Sequence, residues 1–553
     1  MVANIDKVLK LVNTLLGSGK LLRAKKVLLE NLQAYPQNTK LTELLASIYD
    51  VEGDSDSALE LLRGVSNKPD FSLASYCDLG LLLLKKEIFD EALHCFENAI
   101  EKFKDSFEAH FYFAIALAAK KEYQRAAEQF MVARELNPFS SEVHYNLGRA
   151  YDAMDRFFEA CSCYKVAIDL DPSFIKARVN LGLALHQLGK FQDALDSYKA
   201  ALEIDTNFHD AWLNMGVTLD EINQTEDALI AYDQALKINP NSEIAHWNRA
   251  QIDLREGNFE RGWDGYEYRA YGLHSNFEKY PTIAKTKNIN DLIGKKILVW
   301  HEQGYGDTIQ FSRFIKKLSN LNCQITLLVP PILLGIMSTL GGCKVRTEIN
   351  ERDSFDFQLP LMSLPKLLSI DPNACEMITP YLNVEPMHVA QWANKLNIDK
   401  SQINIGLAIS GSALHTKNTK RTIQLSDIET ILPMGRFYLL QKELNEVDKA
   451  YLNTRSEIVF CGELVENFQD TAAILKSMDI VISVDTSLAH LSGALNIKTL
   501  VLLPWVAEWR WQEKKDSTAW YQNTILCRQD AAGDWGSAVK KAELSISKVA
   551  LRR

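Results

Sequence analysis

Two stretches of the chain set reactive side chains where an apolar, β-branched run gives way to a helical pattern. In KILVWHEQGYGDTIQFSRFIKKL the run to His301 opens into Gln303-Gly304-Tyr305-Gly306-Asp307 and then a helix. Glycines at 304 and 306 let a ligand come close to the backbone. A carboxylate at the helix start, Asp307, can take a proton from a hydroxyl, or it can simply cap the free N–H groups. The pattern lacks the third glycine of a dinucleotide fingerprint. In DIVISVDTSLAHLSGALNIKTLVLLP a buried strand ends at Val484-Asp485, a helix opens with Thr486 and Ser487, and His490 follows one turn in. Hydroxyls beside unpaired N–H groups at a helix N-terminus suit a diphosphate, and His490 falls on the same face. The alternative is an Asp/Thr cap beside a core histidine with internal partners.

Both stretches need a sheet behind them. From about Lys295 short β-branched runs alternate with helical ones: KILVWH, QITLLVP, INIGLAIS, FYLLQK, EIVFCG, DIVISVD and KTLVLLP. Alternation of this kind implies βαβ units and parallel sheets. The runs fall into two groups, about 295–385 and 403–535, so the expected architecture is two Rossmann-like lobes, 271–390 and 391–553, with a cleft between them. Ligands of such sheets sit beyond the carboxyl ends of the strands.

The first half, 1–270, is periodic at 34 residues. Small residues recur at Ala46, Gly80, Ala114, Gly148, Gly182, Gly216 and Ala250. A second register runs Ala24, Ala58, Ala92, Ala126, Ala160, Ala194, Ala228 and Gly262, and a third Leu28, Leu62, Phe96, Phe130, Tyr164, Tyr198, Tyr232 and Tyr266. Two small positions and one bulky side chain per unit suit paired helices in close approach. Pro138, Pro172 and Pro240 fall where a helix must stop. The pattern, as in AWLNMGVTLDEINQTEDALIAYDQALKINP, closely resembles the tetratricopeptide repeat and covers about eight units. An α-solenoid with a concave partner-binding surface is therefore expected. Asn146, Asn180, Asn214 and Asn248 also recur at 34, on the helices that line the concave side in this family. A rung every ~10 Å matches about three residues of extended chain, and an amide can both donate to and accept from a peptide group. The four are candidate acceptor-peptide contacts, similar to the asparagine ladder of O-GlcNAc transferases; the bland reading is amides bonded locally or along the stack.

The two α/β stretches together resemble glycosyltransferases of the bacterial heptosyltransferase type, which carry GD at the first strand–helix junction and D-[ST]-x-x-x-H in the second lobe. Here these are Gly306-Asp307 and Asp485 to His490, about 180 residues apart. The chain is closer still to tetratricopeptide-linked members, matching at Glu302 to Phe311, Leu440-Gln441-Lys442, Asp485 to His490 and Trp509-Arg510-Trp511. The resemblance implies a GT-B pair of lobes, Asp307 as the base, and Thr486, Ser487 and His490 around the donor's phosphates or sugar. It puts Asp485 on the sugar hydroxyls and Gly304 and Gly306 beside the donor. It implies no metal and no cofactor, so a departing diphosphate needs helix N-termini and fixed cations; Arg421, Lys442 and Arg510 are the candidates. Related sequences read H-x-N-D-R-x-R-S-I-P-L near Arg421, whereas this chain keeps His415, Arg421 and Ile423 but has Thr419 at a usual arginine, with Lys417 and Lys420 as less geometric substitutes. Trp505, Trp509, Trp511 and Trp520 could stack on a base or sugar, or pack the core.

Composition sets outer bounds. With 553 residues, 47% apolar and 24% charged, the chain should fold into three or four domain-sized units. Sixty-one Lys and Arg against 71 Asp and Glu leave a charge of -10, which gives no field towards nucleic acid or an anionic membrane. Nine scattered cysteines read as reduced thiols, and neither an export signal nor a spanning segment is recognisable, so a cytoplasmic protein is expected. The expected activity is inverting, metal-independent transfer of a sugar from a nucleotide-sugar to a Ser or Thr hydroxyl of a protein held by the repeats. Surface and flagellar proteins are acceptors by analogy. A glycan or lipid-linked acceptor, or a catalytically silent peptide-binding scaffold, are the alternatives.

Overall fold

The computed structural model describes residues 5–269, 280–375, 377–411, 421–512 and 515–551. His415, Lys417, Thr419 and Lys420 lie outside the described residues. The chain divides into two compact units, Met1–Thr218 and Leu219–Arg553.

The first unit is an α-solenoid whose helices run from Ile5–Gly17 to Phe191–Ile204, with His209–Glu221 reaching its end. The small and bulky registers meet as their spacing implies. A Cβ on Gly148 would lie 2.6 Å from the ring of Tyr164, and one on Gly80 or Gly182 would overlap Phe96 or Tyr198. Tyr164 and Tyr198 are fully buried there. Helices stop at Leu136 and Leu170, two residues before Pro138 and Pro172. Two further registers at 34 emerge only in three dimensions. Ser72, Ser106 and Ser140 cap first helices by accepting from the backbone N–H of Ser75, Ala109 and Val143. The turn within each pair takes a left-handed residue, at Gly19, Gly53, Glu87, Lys121, Asp155 and Gly189. Glycine is the unstrained choice for such a φ, yet three of the six positions do without it.

The second unit opens with helices Thr225–Ile238, Glu243–Glu256 and Phe259–Tyr266 and continues into two parallel sheets. In the first, β1 (Lys296–Trp300), β2 (Gln324–Leu328), β3 (Lys344–Arg346) and β4 (Phe357–Pro360) stand in the order β3-β2-β1-β4. In the second, β5 (Asn404–Ala408), β6 (Arg436–Leu439), β7 (Ile458–Phe460), β8 (Ile480–Val484), β9 (Thr499–Leu503) and β10 (Thr524–Arg528) stand in the order β10-β9-β8-β5-β6-β7. β3, β4 and β10 were not among the runs read from the sequence. All the pairings are parallel, and β5, β8 and β9 are buried along their whole length, as strands covered on both faces must be.

The final repeat helix is built into the α/β core. Trp263 and Tyr266 pack with Phe311, Trp509 and Trp520 at centroid distances of 5.4 to 6.4 Å, and the Trp263 indole N–H donates to the Ile370 carbonyl at 2.7 Å. Arg269, wholly buried, forks onto Glu302 with two 2.8 Å hydrogen bonds and reaches Glu267 and Ser363 as well. Glu302, the first residue of the EQGxGD stretch, thus joins the end of the repeats to the first sheet. All nine cysteines are free thiols, buried or half-buried. Among the described residues no helix is long and apolar enough to cross a membrane.

Candidate active site

Each sheet reverses its strand order once. In the first, the chain lays β2 and β3 to one side of β1 and then β4 to the other; in the second, β6 and β7 lie to one side of β5, and β8, β9 and β10 to the other. The crevice beyond the strand ends at such a reversal is where parallel sheets take ligands. The two stretches singled out by sequence leave from these points: β1 leads into Gly304–Asp307, and β8, beside β5, leads into Asp485–His490.

The helices that follow, Tyr305–Ser312 and Ser487–Ala494, cross against each other. Gly306 sits at the crossing, where a Cβ would stand 2.8 Å from Cδ2 of His490 and 3.4 Å from Cα of Ser487. Asp307 is the third residue of its helix. Its Oδ2 accepts from the Gly304 N–H at 3.0 Å, so the capping alternative is realised, and its Oδ1 pairs with the guanidinium of Arg510. Burial pushes the Asp307 carboxyl above its usual range; Arg510 pulls against that and Glu508 adds to it.

Arg510 is fully engaged. Its Nε donates to Oε1 of buried Gln310 at 3.1 Å, its two terminal nitrogens pair with Asp307 and Glu508, and the guanidinium lies 4.4 Å from the centre of the Trp509 ring. It therefore orients Asp307. Thr486 is the N-cap of its helix: Oγ1 accepts from the Leu488 N–H at 3.2 Å and shares a hydrogen bond with Ser483 at 3.0 Å. Ser487 is half-buried at the crossing. Nη1 of Arg421 donates to the Asp485 carbonyl at 2.8 Å, which brings that cation to the end of β8. Burial, with help from Glu508, pushes the Asp485 carboxyl up to about 6 against Arg421 and Arg510. His490 is held neutral, first by burial and then by Arg510, Arg313 and Arg421. Its Nε2 stands 4.0 Å from Asp485 Oδ1, its Nδ1 is 3.0 Å from the Tyr521 hydroxyl, and its ring stacks on Trp511.

Lys442 is not gathered with these groups. It is exposed and donates to the Glu466 carbonyl at 3.3 Å. Its neighbour Gln441 takes the inner position: Oε1 accepts from the N–H groups of Ile409 and Ser410, and Nε2 donates to Ser410 Oγ, fixing the chain as it leaves β5. Glu508, Gln310, Gln441 and Tyr521 were missed as site residues, although Gln310 and Gln441 lie inside matched stretches. Trp509, Trp511 and Trp520 are buried as packing, and Trp505 is 41% exposed.

In the repeats, Asn146 bonds locally: Nδ2 donates to the Glu142 carbonyl at 2.9 Å. Asn180 donates to the Tyr145 hydroxyl at 3.3 Å and, with Arg149, Asp152 and Tyr164, lines a cavity of about 340 Å³. Asn214 and Asn248 are half-buried on their own helices. Among the described residues no group of three or more His, Cys, Asp or Glu is placed to hold a metal ion.

Comparison with known proteins finds tetratricopeptide repeat families matching residues 77–141, 141–174 and 174–241. Residues 77–241 are thus tetratricopeptide repeats. Protein FlbA of Caulobacter vibrioides is 22% identical over 286 residues, 46% of this chain and 47% of that protein, so the chain spans about half the length of the curated relative it matches. Among solved structures, YrrB, described as a TPR protein with an unusual peptide-binding site, is 24% identical, with 34% of this chain and 96% of that one covered at a TM-score of 0.30. A tetratricopeptide repeat protein from Parabacteroides merdae is 15% identical over 43% of this chain and 94% of that one, with a TM-score of 0.38.

Proposed function

We propose that the protein is an inverting glycosyltransferase of the metal-independent, GT-B kind, which moves a sugar from a nucleoside diphosphate to a Ser or Thr hydroxyl of a polypeptide recruited by its repeats. The observation that carries this reading is the meeting of two switch-point sites at Gly306 and His490. One brings a carboxylate, the other a helix N-terminus, a cation and a buried acid.

In this reading the donor's diphosphate lies at the N-terminus of the Ser487–Ala494 helix, next to Arg421, where N–H groups and a guanidinium oppose its charge. The acceptor oxygen attacks the anomeric carbon from the side of Asp307. As the new C–O bond forms, the hydroxyl proton passes to Asp307 and the bond to the diphosphate breaks. Burial, which raises the Asp307 pKa, strengthens it as a base, while Arg510 keeps it ionised and aimed. Tethering by repeats raises the acceptor's effective concentration, so the cleft itself can bind the peptide weakly.

A melting-shift screen against UDP, GDP, ADP, CMP and TDP, followed by transfer assays with the sugar donors of the nucleotide that binds, tests the reading. Asp307→Asn should keep the nucleotide shift and lose transfer by about 10²-fold or more. Full transfer by Asp307→Asn would remove the base assignment. No shift with any nucleotide would leave a peptide-binding scaffold.

A further inference from the structure

The last repeat departs from the others at two places where they are apolar. Counting back by 34, the residues equivalent to 249 are Met215, Leu181 and Leu147, and those equivalent to 253 are Leu219, Leu185 and Tyr151. In the last unit these positions hold Arg249 and Asp253. With Arg261 and Tyr268 they line a cavity of about 570 Å³, bordered also by Lys287 and Lys366. A polar end face keeps a repeat array soluble, but that role calls for exposed charge. Asp253 is 2% exposed, and its Oδ1 has no hydrogen-bond partner. Burial raises its carboxyl; Arg249 and Asn258 pull the other way, and Asp233 adds to the rise. The helices that carry the cavity are in close contact, since a Cβ on Gly265 would stand 2.8 Å from that of Ala250. One wall is flat, with the rings of His246 and Tyr268 nearly parallel and their centres 4.5 Å apart.

Four cations reach the cavity from four separate segments, and two of them are already paired. Arg249 holds Asp233 at 2.8 Å, and Lys366 holds Asp264 at 2.9 Å. Arg261 stands 3.6 Å from Oδ2 of Asp253, beyond a hydrogen bond, and Lys287 is exposed with no carboxylate partner among the described residues. Two cations and one buried acceptor are left, and they suit a ligand that brings an anion and an N–H close together. An acidic residue of a polypeptide has both, a carboxylate on a short side chain and a backbone N–H at its root. Inorganic phosphate has the charge without the N–H. The cavity also lies close to the candidate base. Its helix, Glu243–Glu256, carries Asn248 and packs against the Trp509–Trp511 segment, whose Arg510 pairs with Asp307. Glu267, in the cavity wall, accepts from Arg269, which forks onto Glu302 at the head of the EQGYGD stretch. We infer that the cavity holds an acidic residue of the acceptor polypeptide, with Arg261 and Lys287 on its carboxylate and Asp253 on its backbone N–H. The acceptor is then chosen partly by an acidic residue at a fixed distance from the Ser or Thr that is modified.

The assignment rests on the transferase reading for calling the polypeptide an acceptor, but the binding itself needs no donor, so the two can fail separately. The probe is a pool of end-blocked peptides with a central serine and every other position random, passed over the immobilised full chain and sequenced after elution. The parent protein should enrich Asp and Glu at one fixed position relative to the serine. Arg261 is 57% exposed on its side chain and Lys287 is exposed, so Arg261→Glu/Lys287→Glu should melt like the parent and lose that preference. No acidic preference in the parent, or the same preference in the double variant, would overturn the inference. In one peptide drawn from the parent's pool, replacing the acid by its amide should weaken binding ~tenfold, the size expected of a hydrogen bond to a charged group. The same replacement should cost the double variant nothing. N-methylation of the acidic residue should also weaken binding to the parent, and no change would remove the contact with Asp253. Inorganic phosphate that raises the parent's melting temperature, with no peptide selected, would make the cavity a small-anion site and overturn the polypeptide assignment. Selection of acidic peptides by a protein that binds no nucleotide would keep this site and remove the transferase reading; nucleotide binding without the selection would remove this inference alone.

Discussion

A Cβ on Gly306 would stand 2.8 Å from Cδ2 of His490, so two helices from two different sheets touch through bare backbone. The next residue along, Asp307, is thereby carried to the edge of the Asp485–His490 segment, where Arg510 spans the gap by pairing with it. His490 is 4% exposed and held by Tyr521 and Trp511, so it has no room to retreat from an added methyl.

Gly306→Ala should therefore cost about 1–3 kcal/mol by overpacking and remove any nucleotide-dependent melting shift. Gly304 offers the comparison. Its φ of -63° suits any residue, and a Cβ there would meet only Oδ2 of Asp307, at 3.3 Å. Gly304→Ala should melt close to the parent protein, and equal losses in the two variants would show that the helix crossing is not the constraint.

Arg510→Met should be among the most damaging single changes in the second unit, since it takes from Asp307 the cation that pairs with it. Removing one partner of a buried pair costs about 3–5 kcal/mol. Adding Asp307→Asn should return part of that loss. The carboxyl of Asp307, already raised by burial, should rise further once Arg510 is gone. The acid limb of any residual transfer would then move to higher pH, because the base must be ionised to act. Thermal melts of both variants and a pH–rate profile check the two parts.

Asp485 makes a pH prediction with a definite sign. Burial raises its carboxyl to about 6 from an ordinary value of about 3.8, so the folded state holds a proton that the unfolded state has given up. Its contribution is fully present below about 3.8 and is lost as pH rises through about 6, a swing of up to about 3 kcal/mol. Asp485→Asn cannot lose that proton. Denaturant melts of the two proteins should be alike near pH 4, with the variant becoming the more stable by pH 7. A difference that does not change with pH would contradict the assignment.

Glu302 tests how the last repeat helix is joined to the first sheet. Arg269 is wholly buried and Glu302 is 2% exposed, so the pair has little solvent to fall back on. Glu302→Gln keeps the shape and removes the charge, and it should lower the melting temperature of the second unit through a loss of about 3 kcal/mol. A parent-like melt would mean that Glu267, which also pairs with Arg269, is sufficient.

The features legible in the sequence are those with a strong local signal. The 34-residue period reports directly on packing, because a glycine beneath a buried tyrosine leaves no freedom to either residue: Gly182 and Tyr198 had to alternate in register. Seven of the ten strands among the described residues stood out as β-branched runs. β3 and β7 are only three residues long, and β3, half-exposed, has too little apolar character to be seen. Asp307 and His490 could be named because each follows a strand, but their meeting is a property of two sheets. Arg510 could be picked out as important, while its task could not be read, since its partners Gln310 and Asp307 lie about 200 residues away. The left-handed turns at Glu87, Lys121 and Asp155 went unseen because residues other than glycine occupy them.

The neighbours Gln441 and Lys442 give the sharpest contrast between residue type and position. A lysine after a strand suggests a phosphate contact, and on charge alone Lys442 is the better candidate. Its side chain is exposed, however, with Nζ on the Glu466 carbonyl at 3.3 Å, whereas Gln441 binds two backbone N–H groups and the hydroxyl of Ser410 at the carboxyl end of β5. β5 flanks the switch point next to β8, so whatever holds its exit holds one wall of the crevice. Gln441→Ala leaves the N–H groups of Ile409 and Ser410 without their acceptor, at about 1–3 kcal/mol, and should weaken nucleotide binding at least tenfold. Lys442→Ala should change binding by no more than about twofold, the small effect expected of an exposed charge. Titration of both variants with the nucleotide that shifts the parent protein's melt decides the matter. A loss in Lys442→Ala as large as that in Gln441→Ala would place the lysine on the ligand, which would require its chain to leave Glu466 and swing towards β5.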